Sequence, residues 1–421
     1  MTLWTRRRFG RFAGGACFTA LAARAARGAA DARVVVIGGG AGGATAAKYL
    51  AMSGGLEVTL VEPKRHYTTC FFSNLYLAGI RSLESLTYGY ERLAERYRIK
   101  VVHDFAAGID PLARTVSLKG GAALGYDRLV VAPGIAFDFA AIEGYDEAAA
   151  EMMPHAWNAG PQSELLRRQL EGMEDGGLFL IVAPPNPFRC PPGPYERAGL
   201  VAHYFKQYKP RSKILILDAK DSFFEQDLFQ DGWTRHYPGM IEWLPGQFAG
   251  RVTAVDVGRR TVMTEDDSFK AAVVNVIPPQ TAGAIAQQAG LADDSGWCPV
   301  DPITFESKLQ PAIHVVGDAI GVGGMPKSAF VANSQAKACA FAIASALTGF
   351  EPIAPHLFNA CYTFLAPDDA VSTVATFEAT AEAIGIRDMF VSGVGESDET
   401  RRQAAQSANG WYAAFTHDLF G

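Results

Sequence analysis

The sequence predicts an α/β protein built from two Rossmann-like dinucleotide-binding domains and a small C-terminal α+β domain. Three observations predict it. The run "ARVVVIGGGAGGATAAKYLAMSGGLEVTLVEPK" reads as strand, glycine-rich turn, helix and strand. The strands "GLFLIVAPP" and "KILILDAK", with a helix between them, repeat that layout further along. From about Thr348 the pattern changes to β-branched and aromatic strands followed by a polar helix.

In chain order, Arg6, Arg7, Arg8 and Arg11 precede a short apolar stretch from Phe12 to Ala23. Residues 1–30 therefore read as a twin-arginine export signal, and the expectation is a periplasmic protein that folds around its cofactor before export. Those residues hold six of the 38 basic side chains and none of the 44 acidic ones, so without them the net charge of −6 becomes −12. Such a balance disfavours nucleic acid and suits a basic protein partner. No later run approaches about 18 uninterrupted apolar residues, so no integral membrane segment is expected.

In the first unit Gly38 permits the tight turn, Gly40 lets backbone approach a pyrophosphate, and Gly43 lets helix and strand pack closely. Glu62 ends the second strand, where a carboxylate accepts hydrogen bonds from a ribose. "YDRLVVAPGIAF", with Gly134, and "AIHVVGDAI", with Asp318, resemble segments of the glutathione-reductase-like flavoproteins. That resemblance implies FAD, its ribityl chain bound by the Gly-Asp carboxylate. Residues 31–154 and 276–347 thus form one discontinuous FAD-binding domain. The helix after "GVGGMPKS" can place its N-terminus near a reduced flavin ring.

Residues 155–275 form the second Rossmann-like domain. Where phosphate-binding glycines would stand, the chain reads "APPNPFRCPPGPYERA". Proline has no backbone N–H to offer a pyrophosphate, so no NAD(P) is expected and electrons come directly from a substrate. Residues 348–421 form the C-terminal interface domain.

Beyond the leader the cysteines are Cys70, Cys190, Cys298, Cys339 and Cys361, an odd number. None has metal-ligand or haem-attachment spacing, so no metal is expected and any haem belongs to another chain. Cys70, just beyond the nucleotide-bearing strand, suits either a thioether to the flavin's 8α-methyl or a buried free thiol. Cys190 and Cys361 would join two domains, as a staple or as a redox pair. Glu196 suits either an acid/base group near Cys190 or a first-turn glutamate favoured by the helix dipole. Cys339 reads as core, and Cys298 carries no assigned role.

The segments "HYTTCFFSNLYLAG", "FRCPPGPYERA", "VDPITFESKLQPAIHVVGDAI", "MPKSAFVANSQAK", "NACYTFL" and "GWYAAFTHD" resemble the flavoprotein subunits of flavocytochrome c sulfide dehydrogenases. The resemblance implies covalent FAD on Cys70 and a redox-active disulfide between Cys190 and Cys361, with Cys361 as the flavin-facing sulfur. Hydrosulfide would open the disulfide, Lys327 and the helix after it would stabilise the reduced ring, and Glu196 would handle protons. Electrons would pass to a c-type cytochrome subunit, in a heterodimer. Alternatives are a sulfide:quinone oxidoreductase-type enzyme, disfavoured by the polar C-terminus, and a non-catalytic sulfur-oxidation accessory flavoprotein.

Overall fold

The computed structural model describes residues 32–421; the predicted export signal lies outside them. The chain opens with β1 (Ala32–Ile37), α1 (Ala41–Met52), β2 (Leu56–Val61), β3 (Lys100–Val102) and β4 (Arg128–Val131). It then builds a second layer from β5 (Leu178–Ala183), α2 (Gly193–Tyr208), β6 (Lys213–Asp218), α3 (Gln226–His236), β7 (Ile241–Leu244) and β8 (Val273–Val276). β9 (Ile313–Val315) returns to the first sheet, whose parallel order is β9-β4-β1-β2-β3. The second sheet is also parallel, in the order β7-β6-β5-β8.

Both sheets read as continuous apolar runs because both faces are covered. Val34, Val35 and Val36 in β1, and Phe179, Leu180 and Ile181 in β5, are buried irrespective of which face they point to. The glutathione-reductase-like α/β architecture predicted from the sequence is therefore the one observed.

α4 (Ala329–Thr348) starts at Ser328, whose hydroxyl accepts from Val331 N, and stops at the left-handed Gly349. It packs on α1, where Asn333 Nδ2 donates to Thr45 Oγ1 at 2.9 Å. The C-terminal region is an antiparallel sheet of β10 (His356–Ala366), β11 (Asp369–Ala379) and β12 (Ile384–Val391), followed by α5 (Asp398–Phe420). The strand pattern breaks at Pro367 as predicted, whereas β12 was not foreseen: its "IGIRDMFV" is mostly exposed and lacks the alternation of a half-buried strand.

Two contacts fold the C-terminal region back over the others. Lys48 of α1 donates to the carbonyls of Asp418 and Gly421 at 2.9 and 3.2 Å, anchoring the end of α5. α2 approaches β10 so closely that a Cβ on Gly199 would lie 3.1 Å from the Leu365 carbonyl oxygen. That approach carries Cys361 of β10 to the N-terminus of α2.

Candidate functional site

A cavity of ≈ 690 Å³ runs along the C-terminal ends of the first sheet, the usual place for a dinucleotide. Gly38, Gly40, Glu62, Cys70, Gly134 and Asp318 line it. Gly38 has φ +93°, and Gly43 packs beneath it so tightly that a Cβ there would lie 1.7 Å from the Gly38 carbonyl oxygen. The Glu62 carboxylate is held by Gly39 N at 2.7 Å and Lys64 N at 3.0 Å. Asp318 is aimed inward with its Oδ1 buried and unpartnered, and burial pushes its carboxyl up while Arg189 and Lys327 pull it down. An orphaned carboxylate oxygen in such a cavity fits a ligand hydroxyl, so the residues present fit FAD.

A smaller cavity of ≈ 70 Å³ adjoins it, lined by Cys70, Cys190, Glu196 and Cys361. Cys70 and Arg189 line both cavities. Three unconnected stretches of chain therefore meet here. Cys190 precedes α2 in a left-handed conformation, φ +59°, and its N–H donates to the Lys327 carbonyl at 2.8 Å. Glu196 sits one turn into α2 and accepts from Asn74 Nδ2 at 2.7 Å and from Phe364 N at 2.9 Å. Phe330, Phe71 and Trp411 form an aromatic wall, with Trp411 supplied by α5.

Burial dominates the electrostatics. It pushes the Cys190 thiol well above its ordinary value, helped by Cys361 and Glu196 and opposed by Arg189. The Cys361 thiol is pushed up to about 12 by burial and then by nearby carboxylates, against a hydrogen bond from Thr363. Burial also raises the Glu196 carboxyl, although Phe364 N, Asn74 and Arg197 hold it down.

The structure brings Cys190 and Cys361 to the same small cavity and sets Lys327 apart from it. Lys327 lines neither cavity: its Nζ donates to the carbonyls of Asp318 and Ile320, both at 2.8 Å, and lies 3.5 Å from the Trp297 ring centroid. Desolvation by that packing brings its ammonium down to about 8, and the two carbonyls aim it at the Gly-Asp loop.

The cation standing at the junction of the cavities is Arg189, which sequence reasoning passed over. Its Nη2 donates to the Trp157 carbonyl at 2.5 Å and to Asn158 Oδ1 at 2.8 Å, and its charge acts on Cys70, Asp318, Tyr67 and Cys190. Its position next to Cys190 was the available signal. Asn74 was also missed; it bridges Glu196 to the buried Arg197, whose Nε donates to Asn74 Oδ1 at 3.0 Å.

In the second domain, side chains gather at the end of β6. Asp218 ends β6 where a ribose-binding acid would stand, and it accepts from Tyr195 Oη and Lys220 Nζ at 2.5 Å and from Trp243 Nε1 at 3.0 Å. Phe223 stacks on Tyr195 with centroids 3.5 Å apart.

Comparison with known proteins gives three family matches: pyridine nucleotide-disulphide oxidoreductase over residues 32–163, sulfide dehydrogenase [flavocytochrome c] flavoprotein chain, central, over 163–278, and flavocytochrome c sulphide dehydrogenase, flavin-binding, over 353–420. The sulfide dehydrogenase [flavocytochrome c] flavoprotein chain of Chlorobaculum thiosulfatiphilum is 60% identical over 43 residues, 10% of this chain and 90% of that sequence. The mitochondrial sulfide:quinone oxidoreductase of Mus musculus is 25% identical over 313 residues, 71% of this chain and 68% of the mouse protein. In fold, the chain resembles the sulfide:quinone oxidoreductase of Aquifex aeolicus, with TM-score 0.72, 18% identity and coverage of 92% and 91%. It also resembles putidaredoxin reductase in its covalent putidaredoxin complex, with TM-score 0.64, 18% identity and coverage of 89% and 93%.

Proposed function

Because the chain belongs to the flavoprotein family of flavocytochrome c sulfide dehydrogenases and is a flavin-binding enzyme of sulfide oxidation, we propose that it is a periplasmic sulfide dehydrogenase with a redox-active Cys190–Cys361 pair, FAD bonded to Cys70 and a c-type cytochrome as acceptor. The observation that carries this reading is the meeting of Cys190, Cys361 and Glu196 in one small cavity that shares Cys70 and Arg189 with the dinucleotide cavity. An apolar cavity of about 150 Å³ admits benzene, so ≈ 70 Å³ suits an inorganic sulfur anion better than a quinone ring.

The steps follow from the residues present. Hydrosulfide attacks one sulfur of the oxidised pair; the cystine bond breaks, a persulfide forms on that cysteine, and the other leaves as thiolate. A second hydrosulfide takes the outer sulfur as disulfanide, leaving the pair as one thiol and one thiolate. Arg189 and Arg197 line the cavity and attract the anions. Glu196 holds or moves a proton beside the sulfurs, because burial raises its carboxyl above the ordinary glutamate value. Bound FAD supplies the two-electron acceptor that returns the pair to its disulfide.

Absence of NAD(P) from the cycle is supported by the proline loop and by the side chains gathered on Asp218. A protein acceptor is supported by an apolar face of the C-terminal sheet, where Phe358, Val374 and Phe390 share one side and are 50%, 42% and 56% exposed. Phe350 and Ile353, each 70% exposed, lie just before β10.

The test is an anaerobic sulfide titration followed by the flavin spectrum. Wild type is expected to bleach and to reduce cytochrome c in preference to a soluble quinone, and Cys361→Ser to stay oxidised. Acid precipitation is expected to carry the flavin with wild type and to release it from Cys70→Ser. Bleaching in Cys361→Ser would overturn the cysteine-pair mechanism, and flavin released from wild type would overturn the covalent bond.

A further inference from the structure

The mechanism above does not use Glu225, a carboxylate with a buried oxygen beside the cysteine pair. Glu225 stands just before α3 in a left-handed conformation, φ +64°, uncommon for a residue other than glycine. Its Oε1 accepts a short hydrogen bond from the Thr373 hydroxyl, and its Oε2 is buried without a partner. Thr373 stands directly opposite Cys361 in the β10–β11 register, so both side chains point from the same face of the sheet. Asp221, Ser222, Phe224 and Asp227, its neighbours along the chain, are exposed.

From this placement we infer that Glu225 is the proton acceptor coupled to Cys361, taking up the proton that sulfide oxidation releases and passing it to the surface near Asp227. The inference rests on the proposed function and deepens it. Two hydrosulfide ions that become one disulfanide ion give up two electrons and one proton; both electrons and the proton are left on the cysteine pair as one thiol and one thiolate, and the proton departs when the disulfide re-forms. Glu225 acts through Cys361 and Thr373 and does not touch the sulfur substrate. The titratable groups facing it are Glu196 from α2 and Cys361 from β10. Burial, with Glu196 adding and Thr373 opposing, brings its carboxyl up to about 7, where it can both accept and release a proton.

The test uses the flavin-loaded chain. In a Cys190→Ser background, the reaction of Cys361 with methyl methanethiosulfonate is followed against pH by mass spectrometry. Glu225→Gln is expected to raise reactivity at mildly alkaline pH about tenfold, because the thiolate no longer forms beside a carboxylate, and to abolish the inflection near neutrality. Thr373→Val is expected to move that inflection to higher pH. With Cys190 intact, Glu225→Gln is expected to slow flavin reduction by sulfide at least about tenfold, and Glu225→Asp to recover part of the loss. An unchanged thiol profile, or an unchanged reduction rate, in Glu225→Gln overturns the inference. Sulfide bleaching that persists in Cys361→Ser would overturn the cysteine-pair mechanism and leave the thiol profile as it is, so the two failures are separable.

Discussion

Replacing Asn74 by leucine tests whether Glu196 is the ionising group of the sulfur cavity. Asn74 is buried, donates to Glu196 Oε2 at 2.7 Å and accepts from Arg197 Nε at 3.0 Å. A hydrogen bond to a charged group contributes about 1.5–3 kcal/mol, and each pH unit corresponds to about 1.4 kcal/mol. Loss of the amide donor should therefore move the Glu196-controlled limb of the pH profile upward by about 1–2 pH units. Leaving Arg197 Nε unpaired should cost about 1–3 kcal/mol of stability as well. The sign of the linkage gives a second check. Glu196 is raised in the fold, so its contribution is present at low pH and is lost as pH rises. The stability deficit of Asn74→Leu should accordingly widen toward alkaline pH. The assay is stopped-flow reduction of the bound flavin by sulfide from acid to alkaline pH, beside thermal unfolding at each pH. A variant that folds, binds flavin and keeps the wild-type pH profile would refute the role given to Glu196.

Arg189→Met should slow flavin reduction about a hundredfold, by analogy with loss of one preorganised donor at a reacting centre, whereas Lys327→Met should chiefly lower the melting temperature, because the Asp318 and Ile320 carbonyls lose their donor. Equal effects of the two on the reduction rate would return Lys327 to the flavin. Arg401 is 1% exposed, 3.3 Å from Asp369 Oδ1 and 3.1 Å from Glu396 Oε2. Arg401→Met should therefore destabilise the C-terminal sheet by about 3–5 kcal/mol, read by chemical denaturation. Burial pushes Asp369 up, but His236, Arg401 and Arg235 outweigh it and hold its carboxyl below the ordinary 3.8. The stability from that cluster is present above this value and lost as pH falls through the folded-state titration, and Arg401→Met should shrink that acid-dependent part.

The α/β class, the glycine turn around Gly38 and the Gly-Asp loop at Asp318 were legible because each is a local pattern. A strand buried on both faces must be apolar throughout, and a turn that admits a pyrophosphate must lack side chains. Pro367 likewise marked the β10–β11 corner by its missing N–H. Those constraints act between residues close in sequence, so the sequence alone determined them.

What the sequence could only list as candidates, the tertiary structure arranged. Cys190 lies in the loop before α2 and Cys361 on β10, and their meeting depends on the approach of α2 to β10 at Gly199 and Leu365. Arg189 and Lys327 are both plausible cations by position, yet packing on Trp297 turned Lys327 toward two carbonyls and left Arg189 between the cavities. Asn74 and Glu225 carry no motif; the first matters through Arg197 and Glu196, the second through a register that sets Thr373 against Cys361. The dinucleotide turn and the apolar strands follow from local backbone rules, whereas charge, protonation and thiol proximity depend on desolvation and distance, which exist only once the chain has packed.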